Sequence, residues 1–278
     1  MKNKLILALY FFITLGPLLM GLGYSLLYSL GLIGLLNDGF TLKHWIRLWN
    51  SNDALGSLWY SSWLTIISLV LTLFLALWTA WFFIKNKSRG SYSVLFLPLL
   101  FPPLIAAFAW YYLLSPSGLI SRFFYQIGLI NGIDGFPRMV NDNFSVGILV
   151  THVFLVFPLF TLLFIEQAKK ERMAELLSSS LTLGSNYMQF IRRVYIPLLV
   201  EKTQSVIWLY GIFLLGTYEV PLLLGQSSPR TVTIFITENM RRYNLEDISV
   251  GHAMAVIYSL FVLLIISVFV RKKAISLF

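Results

Sequence analysis

Six long apolar stretches constrain this chain more than any other feature of its sequence. None of them contains a lysine or an arginine, and they cover residues 5–33, 57–84, 92–114, 145–166, 203–225 and 250–270. A helix needs roughly 20 consecutive apolar residues to cross a bilayer. Backbone polar groups inside lipid must be satisfied internally, and the stretches show no strand-like alternation, so helices are expected. The sequence therefore predicts an all-α polytopic membrane protein with six transmembrane helices.

The composition supports a lipid environment. Of the 278 residues, 58% are hydrophobic and 12% are charged, whereas soluble domains carry roughly 25% charged residues. The chain has no cysteine, which excludes disulfides, thiolate metal ligands and cysteine nucleophiles. The first apolar stretch is too long for the core of a secretory signal, so we expect it to be retained as a helix. Because no internal repeat or Gly/Ser-rich linker is visible, we expect one integral-membrane domain over residues 1–278.

The distribution of basic residues predicts the orientation in the membrane. The two termini and the segments 85–91 and 167–202 hold 14 of the 21 lysines and arginines. Basic residues accumulate on the cytoplasmic side of membrane proteins, so this side, with both termini, is predicted to face the cytoplasm. The net charge of +9 then reflects topology, and nucleic-acid binding is not expected.

The predicted cytoplasmic loop 167–202 has helical periodicity of its own. Residues 175–183 indicate a short helix, and Gly184 is expected to end it with a positive φ. Apolar residues then recur at helical spacing: Tyr187, Phe190, Ile191, Val194 and Tyr195. Pro197 is expected to end this second helix before the fifth span. A short exposed helix pair of this kind can fill a groove on a soluble partner.

This loop resembles the "EAA" loop by which ABC importer permeases bind their ATPase. Residues 182–185 match the glycine turn of the family pattern, and residues 194–199 match its closing hydrophobic run with a proline. Three serines stand where the Glu-Ala-Ala triplet would be, so the family glutamate is absent and Glu175 is the nearest acid upstream. The docking residues that the resemblance implies are Glu175, Ser178, Ser179, Ser180, Gly184, Tyr187, Phe190, Ile191 and Pro197.

Two further segments extend the resemblance. Residues 40–45 resemble the approach to the second helix of these permeases, and residues 218–225 with 228–231 resemble the end of the fifth helix in the polyamine, ferric-iron and thiamine group. The resemblance implies the type I ABC importer permease fold in the bacterial inner membrane. The implied partners are an ABC ATPase dimer, a second permease subunit (identical or homologous) and an extracytoplasmic solute-binding protein. Polyamines, ferric iron, thiamine and sugar-like solutes all stay open.

Ionisable residues inside the predicted spans are candidates for the solute path. Glu219 lies within the fifth span, and charged groups at membrane depth are costly and commonly functional. Glu219 and Tyr218 are therefore candidate path residues, the alternative being that Glu219 is hydrated near the extracytoplasmic mouth. His152, in the fourth span, is expected to be a hydrogen-bonded packing residue. Gly251 and Ala255 have the spacing of small residues that let helices pack closely.

The sequence shows no catalytic constellation. It lacks the Gly-x-x-x-x-Gly-Lys-Ser/Thr loop of P-loop ATPases, so ATP hydrolysis is assigned to a separate subunit and the chain is not expected to be an enzyme. Its histidines, His44, His152 and His252, lie on separate segments without metal-ligand spacing, so neither metal nor cofactor is expected. An ion-coupled secondary transporter remains the alternative, and it would need intramembrane acids or paired broken helices.

Overall fold

The regular structure is helical throughout the part of the chain that the structure describes. The computed structural model describes residues 2–34, 37, 39–85 and 92–275. The helices are α1 (Lys2–Ser29), α2 (Lys43–Trp49), α3 (Asn52–Lys85), α4 (Pro103–Leu114), α5 (Leu119–Gln126), α6 (Val146–Lys170), α7 (Met173–Thr182), α8 (Tyr187–Phe190), α9 (Ile196–Leu215), α10 (Glu219–Leu224), α11 (Val232–Met240) and α12 (Leu245–Ile275). Of the predicted cytoplasmic segment 85–91, only Lys85 is among the described residues, and Met1 and residues 276–278 of the predicted domain also lie outside them.

Six helical segments within the described residues are long and apolar enough to cross a membrane. They are Leu9–Ser29, Asn52–Lys85, Pro103–Gln126, Val146–Lys170, Tyr187–Leu215 and Leu245–Arg271. The prediction of an all-α polytopic membrane protein with six spans is confirmed.

The third span begins later than the apolar stretch 92–114 predicts. Residues Tyr92–Phe96 and Pro98–Leu100 form 3-10 turns, and α4 begins only at Pro103. Pro102 precedes it in an extended conformation. A proline has no backbone N–H and disfavours α-helical geometry in the residue before it, so the pair Pro102–Pro103 separates the 3-10 turns from the helix that follows.

The fifth span differs from prediction at both of its ends. A π-helical turn, Ile191–Tyr195, joins α8 to α9, so helical structure continues without a stop from Tyr187 to Leu215. The expectation that Pro197 ends a helix is therefore wrong, because Pro197 lies in the first turn of α9. A proline is tolerated there because the N–H groups of a first turn need no intrahelical acceptor, and π turns of this kind absorb local irregularity. The span then stops at Leu215, inside the predicted stretch 203–225, and resumes as α10.

The chain divides into two compact units by its internal contacts. Unit 1 contains the described residues up to Ser61 and from Ser228 onward, and unit 2 contains residues 62–227. The prediction of a single domain over residues 1–278 stays a prediction.

Unit 1 is built around α12, against which α1, α2 and α11 all pack. Its buried apolar core consists of Leu48, Ala54, Val232, Phe235, Val250, Ala253 and Met254. The close packing predicted at Gly251 is confirmed, since a Cβ at this position would lie 3.0 Å from Met240 Cγ and 3.2 Å from the Ile236 carbonyl oxygen.

Ion pairs in unit 1 neutralise much of the basic charge on the side predicted to be extracytoplasmic. Arg47 on α2 contacts Glu246 at 2.9 Å and Asp247 at 2.7 Å, at the start of α12. Lys43 and Arg242 pair with the same two carboxylates. Arg230 pairs with Asp53 and Glu238. Four of the seven basic residues assigned to that side are thus paired with carboxylates of the same unit.

Unit 2 carries both candidate sites and has two apolar clusters. One consists of Ala76, Ala80, Val156, Phe160, Phe164, Ile165, Ala168, Met173, Phe190, Tyr195, Leu199 and Leu214, and it anchors the predicted docking loop. The other consists of Leu64, Ala107, Leu114, Val140, Ile148, Val220 and Leu224, and it surrounds α10.

Candidate functional site

The turn between α7 and α8 is a Schellman motif centred on Gly184. Gly184 has a φ of +87°, its N–H donates to the Leu181 carbonyl at 3.1 Å, and the Ser185 N–H donates to the Ser180 carbonyl at 3.1 Å. These two bonds satisfy carbonyls in the last turn of α7. They require a residue in the left-handed conformation, which glycine adopts without steric cost. The predicted glycine turn is confirmed.

A capping box starts α8 directly after this turn. The Gln189 N–H donates to Asn186 Oδ1 at 2.8 Å, and the Asn186 N–H donates to Gln189 Oε1 at 3.1 Å. This reciprocal pairing satisfies donors that the first turn of a helix leaves free. The pattern of Asn186 followed three residues later by Gln189 was available in the sequence and was overlooked.

Two of the predicted docking residues belong to the core of unit 2. Phe190 is only 2% exposed, and its ring centroid lies 6.1 Å from that of Trp81 on α3. Ile191 is partly buried against the same cluster. Tyr195 stacks edge-on against Trp81, with centroids 5.1 Å apart, and its hydroxyl donates to the Leu77 carbonyl at 2.8 Å. The apolar stripe therefore fastens α8 to α3, because the rings of Phe190 and Tyr195 are covered by the protein itself.

Four other docking candidates lie on α7, and Pro197 lies outside the α7–α8 pair, in the first turn of α9. Glu175 is exposed and forms a 3.8 Å ion pair with Arg172. Ser178 and Ser179 are exposed and Ser180 is half-buried, and all three hydroxyls donate to carbonyls of α7 itself. Serine hydroxyls that bond back to their own helix are not directed outward. The three serines therefore do not replace the acidic contact that a glutamate would offer.

Apolar side chains at the turn supply the outward-facing surface that the serines do not. Leu183, immediately before the turn glycine, is 88% exposed, and Met188 is also exposed. Tyr187 is half-exposed, and the Lys85 ammonium at the end of α3 lies 4.8 Å from its ring centroid. We call the exposed part of the α7–α8 pair the docking surface: Glu175, Ser178, Ser179, Leu183, Tyr187 and Met188.

The second candidate site lies where the fifth span is interrupted. Residues 216–218 are not helical and separate α9 from α10, whose first residue is Glu219. Glu219 is exposed, and among the described residues its carboxylate has neither an ion pair nor a hydrogen bond. A cavity of about 410 Å³ lies at this break, lined by Pro103, Phe213, Gly216, Thr217, Tyr218 and Glu219, with two other residues of the span. The structure thus brings the two predicted path residues together at one cavity.

His152 is hydrogen-bonded at the same break. It is 2% exposed, with Nδ1 3.2 Å from Ser68 Oγ and Nε2 3.4 Å from Thr217 Oγ1. The expectation that His152 is a hydrogen-bonded packing residue is confirmed. Within the described residues, no group of three or more histidine, aspartate or glutamate side chains is placed to hold a metal ion.

Among proteins of known sequence, an ABC transporter permease matches part of this chain. No family model matches the chain. A probable ABC transporter permease protein of Sinorhizobium fredii, y4fN, is 23% identical over 184 residues, which is 64% of this chain and 31% of that protein. The chain thus spans about a third of the length of the curated relative that it matches.

Two solved structures superpose over nearly the whole chain. The structure of a bacterial alginate ABC transporter with a periplasmic protein bound to an alginate pentasaccharide gives a TM-score of 0.69 at 18% identity, covering 95% of this chain and 90% of the matched one. A bacterial ABC transporter involved in importing the acidic polysaccharide alginate gives 0.68 at 18% identity, covering 97% and 94%. This chain has the ABC importer permease fold.

The permease fold confirms the resemblance seen in the sequence and the predicted fold class. The finer assignment to the polyamine, ferric-iron and thiamine group stays a prediction, as do the roles of the docking and path residues. In this chain, Glu175, Ser178, Ser179 and Tyr187 share an exposed surface with Leu183 and Met188, which sequence reasoning missed. The sequence signal for these two residues was a large apolar side chain on each side of the predicted glycine turn.

Proposed function

We propose that this chain is the transmembrane permease subunit of an ATP-driven importer in a bacterial inner membrane. Two such subunits, identical or homologous, would line the path, a separate ABC ATPase dimer would bind their docking surfaces, and an extracytoplasmic binding protein would deliver solute. The observation that carries this proposal is the exposed α7–α8 pair within the permease fold. Its turn and both helix ends are fixed by local hydrogen bonds, so a partner would meet a preformed surface.

Continuous helical structure connects the docking surface with the cavity at the break in the fifth span, which we call the solute cavity. The span from Tyr187 through the π turn to Leu215 has no interruption, and its C-terminal end borders the cavity that holds Glu219. A displacement of α8 by a closing ATPase would therefore be carried along α9 as a rigid-body movement. Anchoring of Phe190 and Tyr195 to α3 would carry α3 with it.

The solute cavity favours a cationic or neutral solute. The carboxylate of Glu219 has no basic partner among the described residues, so its negative charge is available to a ligand. Opposite charges attract strongly in a cavity of lower polarity than water. The solved relatives act in systems for the acidic polysaccharide alginate, which such a carboxylate would repel. We therefore propose a solute of different charge from alginate, as in the polyamine or ferric-iron group.

An ion-coupled secondary transporter is the second candidate, and the interrupted fifth span is the observation in its favour. Discontinuous helices commonly form the ion and substrate sites of secondary transporters. The two candidates differ in their energy source, which makes them separable by experiment.

Purification of the tagged full-length chain from its native membranes in mild detergent tests the proposed function. We expect an ATPase to remain bound, so that the purified material hydrolyses ATP, because the exposed docking surface would keep its partner. The chain reconstituted alone is expected to have no ATPase activity. Material without ATPase activity, together with solute uptake driven by an ion gradient alone, would replace this proposal with the secondary transporter.

Single cysteines placed in this cysteine-free chain are expected to report its orientation. A membrane-impermeant maleimide should label Asp134→Cys in intact spheroplasts, because the segment 115–144 is predicted to be extracytoplasmic. It should label Ser179→Cys only after permeabilisation, because the docking surface is predicted to face the cytoplasm. Both positions are exposed, so access to reagent is not limited by packing. Labelling of Ser179→Cys from outside would reverse the predicted topology.

A further inference from the structure

The break in the fifth span removes backbone groups from regular helical hydrogen bonding at a depth where lipid is the surroundings. Residues 216–218 leave helical geometry between α9 and α10, whereas lipid supplies no hydrogen-bonding partner for freed backbone groups. The Gly216 N–H and the Thr217 N–H still donate backward, to Phe213 and Leu214. After Thr217 and Tyr218 the chain enters α10, which begins at Glu219, and Glu219 lines the cavity. Glu219 is the first residue of α10, so its place depends both on the break that precedes it and on the packing of α10.

A polar bridge across three helical segments holds this break. His152 on α6 lies between Ser68 on α3, which is completely buried, and Thr217 in the break. The Thr217 hydroxyl donates its proton to the Leu214 carbonyl at 2.9 Å. Its oxygen can then only accept from the imidazole, so Nε2 carries the proton and Nδ1 accepts from the Ser68 hydroxyl. In this assignment the imidazole donates to Thr217 and accepts from Ser68, so it links α6 to both neighbours.

Two neighbouring cavities are lined by residues of this bridge. One, of about 160 Å³, is lined by Phe101, His152, Tyr210 and Thr217 among others. The other is the cavity of about 410 Å³ that contains Glu219. Thr217 lines both cavities, so its side chain is not enclosed by packing on every side. The hydrogen bond to His152 is a side-chain contact that ties the break to α6.

We infer that His152 is a positioning residue that fixes the break of the fifth span through the Ser68–His152–Thr217 bridge, and with it the place of the Glu219 carboxylate in the cavity. The inference rests on the proposed function only in treating Glu219 as a path residue. The bridge itself is a property of this chain, and it can be tested without a solute or an ATPase.

The test measures how fast a cysteine at position 219 reacts with a cationic methanethiosulfonate reagent. The full chain carrying Glu219→Cys is prepared in membrane vesicles with His152, His152→Leu or His152→Gln. Leucine removes both hydrogen bonds, so the break is expected to open more often and the reaction to be faster by about fivefold or more. Glutamine offers a donor and an acceptor at similar reach, and it is expected to return the rate to within about twofold of the parent. Ser179→Cys on the docking surface should react at one rate in all three backgrounds.

A second set of variants separates the bridge from a general loss of packing. Thr217→Val keeps the shape of the side chain and removes the hydroxyl, and it is expected to accelerate labelling at position 219 as His152→Leu does. Because the bridge acts as a unit, combining the two substitutions should give no further increase. Unchanged labelling in His152→Leu, or in Thr217→Val where His152→Leu fails to insert, would overturn the inference. So would multiplicative effects in the combined variant or a failure of glutamine to restore the rate.

Discussion

Replacement of Gly184 by valine is expected to abolish ATP-coupled uptake while the chain stays in the membrane. The φ of Gly184 is +87°, a region that costs an L-residue roughly 1–2 kcal/mol and is a severe outlier for a β-branched one. Apart from Gly184 itself and the two adjoining residues, no described atom lies within 4 Å of the position that a Cβ would take. The effect would therefore be strain in the turn, with no steric clash elsewhere. Relief of that strain would break the Schellman bonds and change the angle between α7 and α8.

The measurement is co-purified ATPase activity together with uptake by the reconstituted complex. Gly128→Val provides a matched control, because Gly128 also has a positive φ (+75°) and open space around its Cβ position. It follows α5 on the side predicted to be extracytoplasmic, so equal backbone strain there should leave the ATPase bound. Gly184→Asn should retain most of the activity, since asparagine tolerates the left-handed region better than other residues. Normal uptake by an inserted Gly184→Val protein would remove the docking role of this turn.

The helix pair of the docking loop could be predicted because its signals are local. Glycine at a helix end and the apolar spacing from Tyr187 onward act over a few residues, so the sequence alone locates the turn. What the apolar stripe contacts is a tertiary question. Phe190 and Ile191 have the spacing expected for a surface that meets a partner, yet Trp81, about a hundred residues earlier in the chain, covers Phe190. Periodicity identifies an apolar face without specifying what buries it.

Some bounds of the spans are set by local sequence, and others depend on tertiary contacts. The late start of α4 follows from Pro102 and Pro103, and proline rules applied to the stretch 92–114 could have located it. The break after Leu215 has a weaker local signal. Gly216 is compatible with a helix end, but the apolar run continues through Leu224 and hydropathy cannot detect the interruption. The break is supported by His152 and Ser68 on other helices, whose contribution depends on the folded structure.

Replacement of Glu219 by glutamine is expected to lower uptake about tenfold or more, which corresponds to a loss of ~1.4 kcal/mol of interaction. Glutamine keeps the size and hydrogen-bonding capacity of the side chain and removes its charge. The carboxylate is exposed at the cavity without a basic partner among the described residues, so no internal ion pair would be broken. If the charge attracts the solute in its bound state, the loss should appear mainly as a higher KM.

The matched control for this substitution is Asp134→Asn, which removes one exposed negative charge outside the cavity. Uptake of the solute that the binding protein delivers is measured with both variants in the reconstituted complex, after co-purification shows that the ATPase is bound. Asp134→Asn should transport at the parental rate, because an exposed, hydrated charge that does not line the cavity is screened by salt. Glu219→Leu separates the two explanations further, since it would disturb a packing role and an electrostatic role alike. A parental rate in Glu219→Gln combined with a loss in Glu219→Leu would assign Glu219 to packing, and the preference for a cationic solute would lose its structural basis.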